Sequence, residues 1–368
     1  MNVLILNCIL TTAEKGVITR RKSIKDCMIS NFAMGMIANG HSVTIIASEE
    51  FKPTEKEDYQ YDIIFMKSRL PQIFKPHLIP WPIGLRKYLK ENIDKFDIVV
   101  VSEAFSMLAL LAADICKDKL VIWQEMSFHQ HLFFRLPAKI WYNVVPRYFM
   151  RKALVIGRSL PARDFIKKYA RNVSEEIVDH GANANIFTID EKSDNSFIIV
   201  ARLVPGKNID NMIRKFANFI TKSSYKDFKL NIIGDGEERE SLKMLIEELN
   251  MQNNIFLKGF MRHSEFRDYL RMAKGLLVDT IKDLNMVSIP EALISGTPIL
   301  TNTLPTTVPF IRKYGLGIAK DNWDWEELQK MVERYDEFHE NCREIRDELT
   351  NIGTSKKMIE IYKKWRIC

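Results

Sequence analysis

The segment ARLVPGKN, residues 201–208, places two cations around a sharp turn. Arg202 ends an apolar run typical of a buried strand, and Lys207 follows Pro-Gly at the start of a predicted helix. The first amides of a helix lack backbone acceptors and favour an anion, as do a guanidinium and an ammonium group. The segment therefore predicts a diphosphate site, although a solvated turn with two surface cations would show the same residues.

A second segment, DLNMVSIPEALISGTPIL at residues 283–300, holds two carboxylates eight residues apart, Asp283 and Glu291. An ionised carboxylate accepts two hydrogen bonds, which suits the neighbouring hydroxyl groups of a sugar. One acid would bind a ribose and the other a second sugar. The amides of Val287 and Ser288, at the start of the next helix, are expected to face the same phosphates as the two cations.

Glycines mark a third turn in this half of the chain. The segment IIGDG follows a predicted strand, and Gly234 permits a tight bend and a close backbone approach to a ligand. By itself this turn is a weak signal, because such turns often only end a strand. No GxGxxG follows this strand or the first strand of the chain, which disfavours nicotinamide chemistry.

Strands and helices alternate along the whole chain. Alternation is typical of a parallel sheet covered on both faces, so the predicted fold class is α/β, with two doubly wound, Rossmann-like domains facing each other across a cleft. A polar stretch at 188–196 divides the predicted domains, 1–190 and 191–353. Strands are predicted at 3–9, 41–48, 97–104, 119–125, 153–159, 175–181, 197–202, 229–236, 253–260, 275–279 and 298–300.

The composition is that of a globular protein. The chain has 368 residues, which favours two domains, with 46% hydrophobic and 27% charged residues. The five cysteines are scattered without a CxxC pair, which argues for a reducing compartment and against a disulfide framework or a zinc site. The first residues read directly into a strand, and no apolar run is long enough to span a bilayer, so a cytoplasmic location is expected.

The net charge of +7 lies mostly in the first half, and its densest basic patch runs from Phe133 to Lys152. This patch combines basic and aromatic residues and contains no acid. Three interpretations are open: a segment that docks on anionic lipid, a pair of core-facing helices with a solvated basic side, or a nucleic-acid contact. We expect peripheral contact with the inner face of an anionic membrane and no nucleic-acid partner.

Several motifs of the second half resemble one known family. In their order over about residues 197–310, RLVPGK, IIGDG, IFLKGF, the acid–x7–Glu pair and EALISGTPIL resemble the C-terminal domain of the family 4 (group 1) nucleotide-sugar glycosyltransferases, which have the GT-B fold. The first half resembles the family more loosely, through ANGHSVTIIA, VSEAFSMLALLAA and VDHGANANIF. In GT-B proteins the last helix commonly packs on the first domain, which we expect of residues 354–368.

The resemblance implies roles for the residues of the second half. Arg202 and Lys207 would bind the donor diphosphate, and Glu291 would bind the ribose hydroxyls. Asp283 stands where the family usually has a glutamate that contacts the donor sugar, and its side chain is one methylene shorter. The family commonly has GFG after this acid, whereas this chain has Leu-Asn-Met at 284–286, which puts the identity of the sugar in doubt.

In the first half the resemblance implies a donor loop and a cleft residue. Gly16 matches the glycine-rich loop beneath the diphosphate, although the residue before it is lysine. Many relatives have a histidine after the strand that matches KLVIWQE, whereas here Glu125 stands at that place and His129 follows. Either would orient the acceptor hydroxyl or the donor sugar, and each is also compatible with a structural role. Glu103 is a weaker cleft candidate, and His180 matches the interdomain hinge.

The implied reaction moves a sugar from a nucleotide sugar, with a UDP-sugar favoured, to a glycan or lipid-linked glycan in cell-surface polysaccharide biosynthesis. The family transfers with retention and generally without a metal, no DxD pair is present, and no cofactor is expected. The leaving phosphate, stabilised by the two cations, would take the acceptor's proton. Two alternatives stay open: a catalytically degenerate GT-B subunit that binds a partner transferase, and a GT-B sugar-nucleotide epimerase.

Overall fold

The computed structural model describes residues 1–11, 13, 16–129, 136–189, 193–281 and 286–367. The chain forms two compact units: the first unit comprises Met1–His180 and Asn351–Cys368, and the second unit comprises Gly181–Thr350. The boundary between them lies after residue 180, earlier in the chain than the predicted 190. The described residues of the polar stretch, 188–189 and 193–196, therefore belong to the second unit.

A parallel sheet of six strands forms the middle of the first unit. Its strands are β1 (Asn2–Leu6), β2 (Ser42–Ser48), β3 (Asp62–Met66), β4 (Ile98–Ser102), β5 (Leu120–Gln124) and β6 (Leu154–Gly157). They are arranged in the order β3-β2-β1-β4-β5-β6. The central strands β1, β4 and β5 are buried along almost their whole length, because helices cover both faces of the sheet, and this explains their continuous apolar sequences.

Helices pack on both faces of this sheet. Up to His180 the described helices are α1 (Met28–Ala38), α2 (Leu85–Asn92), α3 (Met107–Cys116), α4 (Leu136–Val144) and α5 (Leu160–Ile166). α4 continues directly into a single π-helical turn, Val145–Phe149. One apolar cluster lies between the sheet and α2, α3, α4 and α5, and a second lies beneath α1 on the other face.

The predicted strand at 175–181 is wrong, and β3, which was not predicted, completes the sheet instead. The amide of Val178 donates to the carbonyl of Gly157 (3.0 Å), but the carbonyl of Val178 accepts from the indole of Trp123 (2.7 Å) rather than from a neighbouring strand. This segment therefore lies along the edge beside β6 with irregular backbone. β3 escaped prediction because it is a short edge strand and only partly buried.

The second unit is also built on a parallel sheet of six strands. These are β7 (Ser196–Val200), β8 (Lys229–Ile233), β9 (Ile255–Gly259), β10 (Leu276–Val278), β11 (Ile299–Thr301) and β12 (Gly317–Ala319). Their order is β12-β11-β10-β7-β8-β9. Counted from β7, this is the strand order of the first unit. The predicted α/β class with two doubly wound domains is confirmed, although β12 was not foreseen.

Helices connect the strands of the second unit, and two more follow the last strand. They are α6 (Ile209–Lys222), α7 (Arg239–Glu248), α8 (His263–Met272), α9 (Ser288–Ile294), α10 (Val308–Tyr314), α11 (Trp325–Glu333) and α12 (Tyr335–Leu349). Within the described parts of both units, every helix is too short or too polar to cross a membrane.

The closing helix α13 (Asn351–Ile367) returns to the first unit and packs on α1. The side-chain amide of Asn351 donates to the carbonyl of Asn31 at 2.8 Å. A Cβ at Gly35 in α1 would collide with the carbonyl of Asn351, so the close approach of the two helices requires glycine there.

In each sheet the first strand of the unit lies beside the fourth, β1 beside β4 and β7 beside β10. At this switch point the connections leave to opposite faces of the sheet. Ligands of doubly wound sheets bind there, beyond the carboxyl ends of the strands. The loops after β1, β4, β7 and β10 are therefore the places where a functional site is expected.

Candidate active site

The loop after β7 carries the two predicted cations at the switch point of the second unit. Arg202 is exposed and Lys207 is partly buried. Pro205–Lys207 form a single 3-10 turn directly before α6. The carbonyl of Gly206 accepts a hydrogen bond from the amide of Ile281 at 3.0 Å, so the chain that follows β10 fixes this turn.

A buried carboxylate, Asp279, ties the same loop to the sheet. It follows β10 directly, and its Oδ2 accepts from the side-chain amides of Asn208 (3.2 Å) and Asn211 (2.8 Å) and from Nζ of Lys215 (2.8 Å). The Asp279 and Lys215 side chains are 8% and 11% exposed, and the ammonium lies 4.2 Å from the Trp323 ring centroid. A buried charge is costly unless it is paired, so this cluster fixes the start of α6. Our sequence reasoning missed Asp279, although an acid directly after a buried strand is a visible signal.

Gly234 and Gly236 shape the cation loop from the neighbouring turn after β8. A Cβ at Gly234, whose φ is 141°, would collide with the carbonyl oxygen of Ala201, and a Cβ at Gly236 would collide with that of Leu203. The amide of Leu203 also donates to the carbonyl of Asp235 at 3.0 Å. The two glycines therefore allow the backbone of residues 201–203 to approach closely. By this contact Gly234 helps to position the loop that bears the cations. Its predicted contact with a ligand stays a prediction.

Glu291 lies in α9 and is buried. Its Oε1 is 3.2 Å from Nε2 of His263, the first residue of α8. The imidazole ring packs edge-on against Phe187 and Phe266, which holds it in place. Glu291 therefore has a fixed partner that sequence reasoning did not identify. The only available signal was the position of His263 at a predicted helix start after a strand.

The other predicted donor-site residues lie just before and at the start of α9. Val287 is exposed, and Ser288, the first residue of the helix, is buried. Asp283 lies outside the described residues, so its predicted contact with the donor sugar stays a prediction. Because β7 and β10 are neighbours, the loop that bears Arg202 and the chain leading to α9 leave the sheet side by side.

In the first unit, charged residues directly follow the ends of β4, β5 and β6: Glu103, Glu125 and Arg158. The carboxylate of Glu103 accepts from the amides of Glu125 (2.7 Å) and Met126 (3.1 Å) and from the side-chain amide of Gln124 (2.7 Å). Burial and the nearby charge of Glu125 raise the pKa of Glu103 to about 7, against the opposing effect of Arg158. Glu103 thus holds the chain after β5 in position.

Glu125, the predicted cleft residue, is ion-paired. Its Oε2 lies 2.8 Å from Nη1 of Arg158, whose side chain is 4% exposed, while that of Glu125 is 45% exposed. The guanidinium stacks 3.9 Å from the centroid of the Trp123 ring, and its Nη2 donates to the hydroxyl of Ser102 at 3.3 Å. Glu125 is therefore a carboxylate held from one side and open to solvent on the other, where it can accept a hydrogen bond from a ligand hydroxyl.

His129 is packed in an aromatic cluster. Its ring lies edge-on to those of Tyr142, Phe165 and Tyr169, and its Nε2 is 3.2 Å from the hydroxyl of Tyr169. This packing supplies a structural reason for the histidine, and its predicted role towards the substrate stays a prediction.

The structure also describes the surroundings of two other predicted residues of the first unit, His180 and Gly16. Nδ1 of His180 lies 2.6 Å from Oδ1 of Asp179. Burial lowers the pKa of His180, but the Asp179 carboxylate outweighs burial and the net shift is upward. Gly16 has a left-handed φ of 80°, a conformation that favours glycine, and it is exposed beside His77.

The structure thus places the predicted residues in two sets, one in each unit. The set of the second unit offers cations on a firmly anchored loop and a buried carboxylate in α9, which suits a ligand with phosphates and hydroxyls. The set of the first unit offers a fixed, half-exposed carboxylate, which suits a hydroxyl group.

Residues 182–352 match the family described as "Glycosyl transferases group 1". The matched range nearly coincides with the second unit and contains Arg202, Lys207 and Glu291.

Two curated relatives are similar to parts of this chain, one over a short segment and one over a longer segment at lower identity. Poly(glycerol-phosphate) alpha-glucosyltransferase of Bacillus subtilis (strain 168) is 32% identical over 106 residues, 28% of this chain and 15% of that protein. Alpha-monoglucosyldiacylglycerol synthase of Streptococcus pneumoniae is 22% identical over 294 residues, 72% of this chain and 65% of that protein. The chain spans less than two thirds of the length of either relative.

Among solved structures, HepE of Anabaena in complex with UDP and glucose matches with a TM-score of 0.67 at 14% identity, covering 99% of this chain and 100% of that one. At this identity the match shows the fold. It is the GT-B fold that was predicted.

Proposed function

We propose that the chain is a retaining, metal-independent glycosyltransferase, since residues 182–352 match the group 1 glycosyl transferases that the sequence motifs resemble. It moves a sugar from a nucleotide sugar to a glycan or lipid-linked acceptor. The observation that carries this proposal is the loop after β7, which bears Arg202 and Lys207 at a switch point and is anchored by Asp279.

The donor diphosphate would bind at this loop. A phosphate site gains affinity when its cations are held in place before the ligand arrives, because less side-chain and loop ordering is needed on binding. The contacts of Asp279 and of the Gly206 carbonyl provide that order. Glu291 would accept hydrogen bonds from the ribose, with His263 keeping its carboxylate in one orientation.

A UDP-sugar is the first donor to consider, since the similar structure of HepE is a complex with UDP and glucose. The names of the two relatives point to a glycerol-phosphate polymer and to diacylglycerol as acceptor classes. A polymer or lipid-linked acceptor in cell-surface biosynthesis is therefore proposed for this chain too.

In the proposed reaction the bond between the anomeric carbon and the leaving diphosphate breaks, and a bond to the acceptor oxygen forms on the same face. The acceptor hydroxyl gives its proton to a departing phosphate oxygen, so no protein nucleophile is required. Arg202 and Lys207 would stabilise the charge that develops on the diphosphate, which is the main electrostatic task of the site. Glu125 would hold the acceptor hydroxyl through its solvent-facing oxygen.

Membrane contact through the basic aromatic patch is part of the proposal. Phe133 and the two residues after it lie outside the described residues, and residues 136–149 form α4 and the π-helical turn. An apolar stripe with a spacing of four is exposed there: Leu136, Ile140, Val144 and Tyr148. Exposed cations accompany it: Lys139, Arg147, Arg151 and Lys152. An exposed apolar stripe with flanking cations is typical of a helix that lies in an anionic membrane surface.

The test uses the purified chain with single UDP-sugars and no acceptor. We expect slow release of UDP with one donor, and early NMR spectra should show the freed sugar with the anomeric configuration of the donor. Glu291→Gln should slow release, while Glu248→Gln at the exposed end of α7 should not. Inverted sugar in the first spectra would contradict retention. An epimerised sugar would indicate the epimerase, and nucleotide binding without release of UDP would indicate a partner subunit.

A further inference from the structure

A second stretch of the first unit is basic and free of acids. From Lys67 to Lys90 the chain contains no Asp or Glu. Its cations are Lys67, Arg69, Lys75, Arg86, Lys87 and Lys90. The stretch runs from the end of β3 into α2 and shares no residue with the cation loop of the second unit or with the patch at α4.

Local backbone pairing folds this stretch back on itself. The amide of Arg69 donates to the carbonyl of Trp81 (2.7 Å), and the amide of Ile83 donates to the carbonyl of Lys67 (2.8 Å). As a result the Arg69 guanidinium lies over the Trp81 indole, 5.0 Å from the ring centroid. Phe74 packs edge-on against the same indole with 4.7 Å between centroids. A cation and an indole are thus held together at the surface.

A cavity of about 890 Å³ opens beside this pair. Its charged lining consists of Arg69, Arg86, Lys87, Lys90 and Glu91. Glu91 lies 3.8 Å from Lys87, and Arg86 is paired with Asp114 at 2.7 Å. For Arg69 and Lys90, the described part of the chain provides no carboxylate within ion-pair distance. The cavity therefore keeps an excess of positive charge.

Exposed apolar side chains border the cavity. Ile83, which lines it, is 57% exposed, and Leu70, next to Arg69, is 50% exposed. A site for a small soluble anion has no use for apolar side chains turned to water. A bilayer surface, in contrast, offers phosphates to the cations, acyl chains to the apolar residues and an interfacial region that indole rings prefer.

We propose that this cavity binds the phosphate headgroup of an anionic phospholipid, with Arg69 and Lys90 on the phosphate and Ile83 in the acyl region. A guanidinium suits phosphate because its donors match two oxygens at once. Leu85 and Leu89 of α2 belong to the same apolar cluster as Tyr142 and Val145, so both basic segments lie on one face of the sheet. The headgroup site goes beyond the proposed transfer reaction and rests on residues other than those of the α4 patch.

Vesicle flotation of the full chain tests the site. Vesicles of phosphatidylcholine alone are compared with vesicles that also contain phosphatidylglycerol. Arg69→Glu with Lys90→Glu should lower binding to the mixed vesicles about tenfold or more, since each basic residue near an anionic surface contributes substantially. The matched control, Lys229→Glu with Lys243→Glu, makes the same charge change on exposed positions of the second unit. Equal losses in both double variants, or no loss in the first, would overturn the site.

A second arm separates a lipid headgroup from a soluble phosphate ester. Millimolar glycerol phosphate should leave vesicle binding by the wild-type chain unchanged, and displacement by it would overturn the assignment to a lipid. The tryptophan fluorescence should shift to the blue on vesicle binding, and this shift should shrink in Trp81→Phe. UDP binding by the Arg69/Lys90 double variant should equal that of the wild type. A wild-type chain that binds vesicles but not nucleotides would contradict the transferase proposal while leaving the headgroup site standing.

Discussion

The two units share one strand order but use the carboxyl edges of their sheets differently. In the first unit the charged residues at the strand ends have partners within the unit: Glu103 accepts from the backbone amide of Glu125, and Glu125 pairs with the buried Arg158. In the second unit a buried pair, Asp279 and Lys215, lies behind the loop and fixes it. The same topology thus yields a rigid carboxylate set in one unit and a rigid cationic loop in the other.

This difference shows how a doubly wound sheet is adapted to a ligand. The sheet determines where loops converge, while the residue directly after each strand determines the charge presented there. A cationic loop suits the phosphates of a donor, and a half-exposed carboxylate suits the hydroxyl of an acceptor. Each of the next three predictions removes one of these strand-end residues.

The largest effect on stability is expected from Asp279→Asn. The substitution leaves the Lys215 ammonium buried without its counter-charge, so the free energy of unfolding should fall by about 3–5 kcal/mol. Urea unfolding of the full chain measures this change. Asp268→Asn, which removes an exposed partner of Arg271, should cost no more than about 1 kcal/mol. If both variants lose the same small amount, the anchoring role of Asp279 is wrong.

A smaller effect on the free energy of unfolding is expected from Glu103→Gln, and this effect should depend on pH. Because its pKa in the folded chain is raised to about 7, Glu103 keeps its proton in the folded state at pH values where the unfolded chain has lost it. The contribution of Glu103 to stability is therefore fully present below the unfolded pKa and is lost as pH rises towards about 7.

Between about pH 5 and about pH 8, Glu103→Gln should consequently gain about 2–3 kcal/mol in unfolding free energy relative to the wild type. Chemical unfolding of both proteins at the two pH values measures this difference. If the two proteins differ in unfolding free energy by the same amount at both pH values, Glu103 does not titrate in this range.

The next effect concerns transfer rather than folding. Glu125→Gln weakens the contact with Arg158 and removes the charge proposed to hold the acceptor hydroxyl, so kcat should fall about 10–100-fold. UDP affinity should stay within about twofold, because the proposed donor loop belongs to the other unit. Asp94→Asn, at an exposed position of the first unit, serves as the control and should change neither quantity. A loss confined to nucleotide affinity would assign Glu125 to the donor instead.

Much of the fold was readable from the sequence because parallel strands buried on both faces have continuous apolar runs. The edge strands β3 and β12 were missed, since they are short and only partly buried. The segment at 175–181 has apolar residues typical of a strand, but the carbonyl of Val178 accepts from the indole of Trp123 instead of joining the ladder.

The partners of the site residues could not be read from local sequence. Asp279 meets Lys215, and Glu291 meets His263, only after distant strands are placed side by side. The pairing of Glu125 with Arg158 likewise depends on β5 lying beside β6. Strand-end position predicts which residues reach the edge of a sheet, but the choice of partner depends on strand order.

The central claim is that the anchored loop of the second unit binds a nucleotide diphosphate. Calorimetric titration of the full chain with UDP, GDP and ADP, beside Lys207→Ala and the exposed control Lys243→Ala, tests it most directly. We expect one nucleotide to bind best, an affinity about tenfold or more weaker in Lys207→Ala, and no change in the control. A folded chain that binds none of the three nucleotides, or a Lys207→Ala variant with wild-type affinity, would contradict the account.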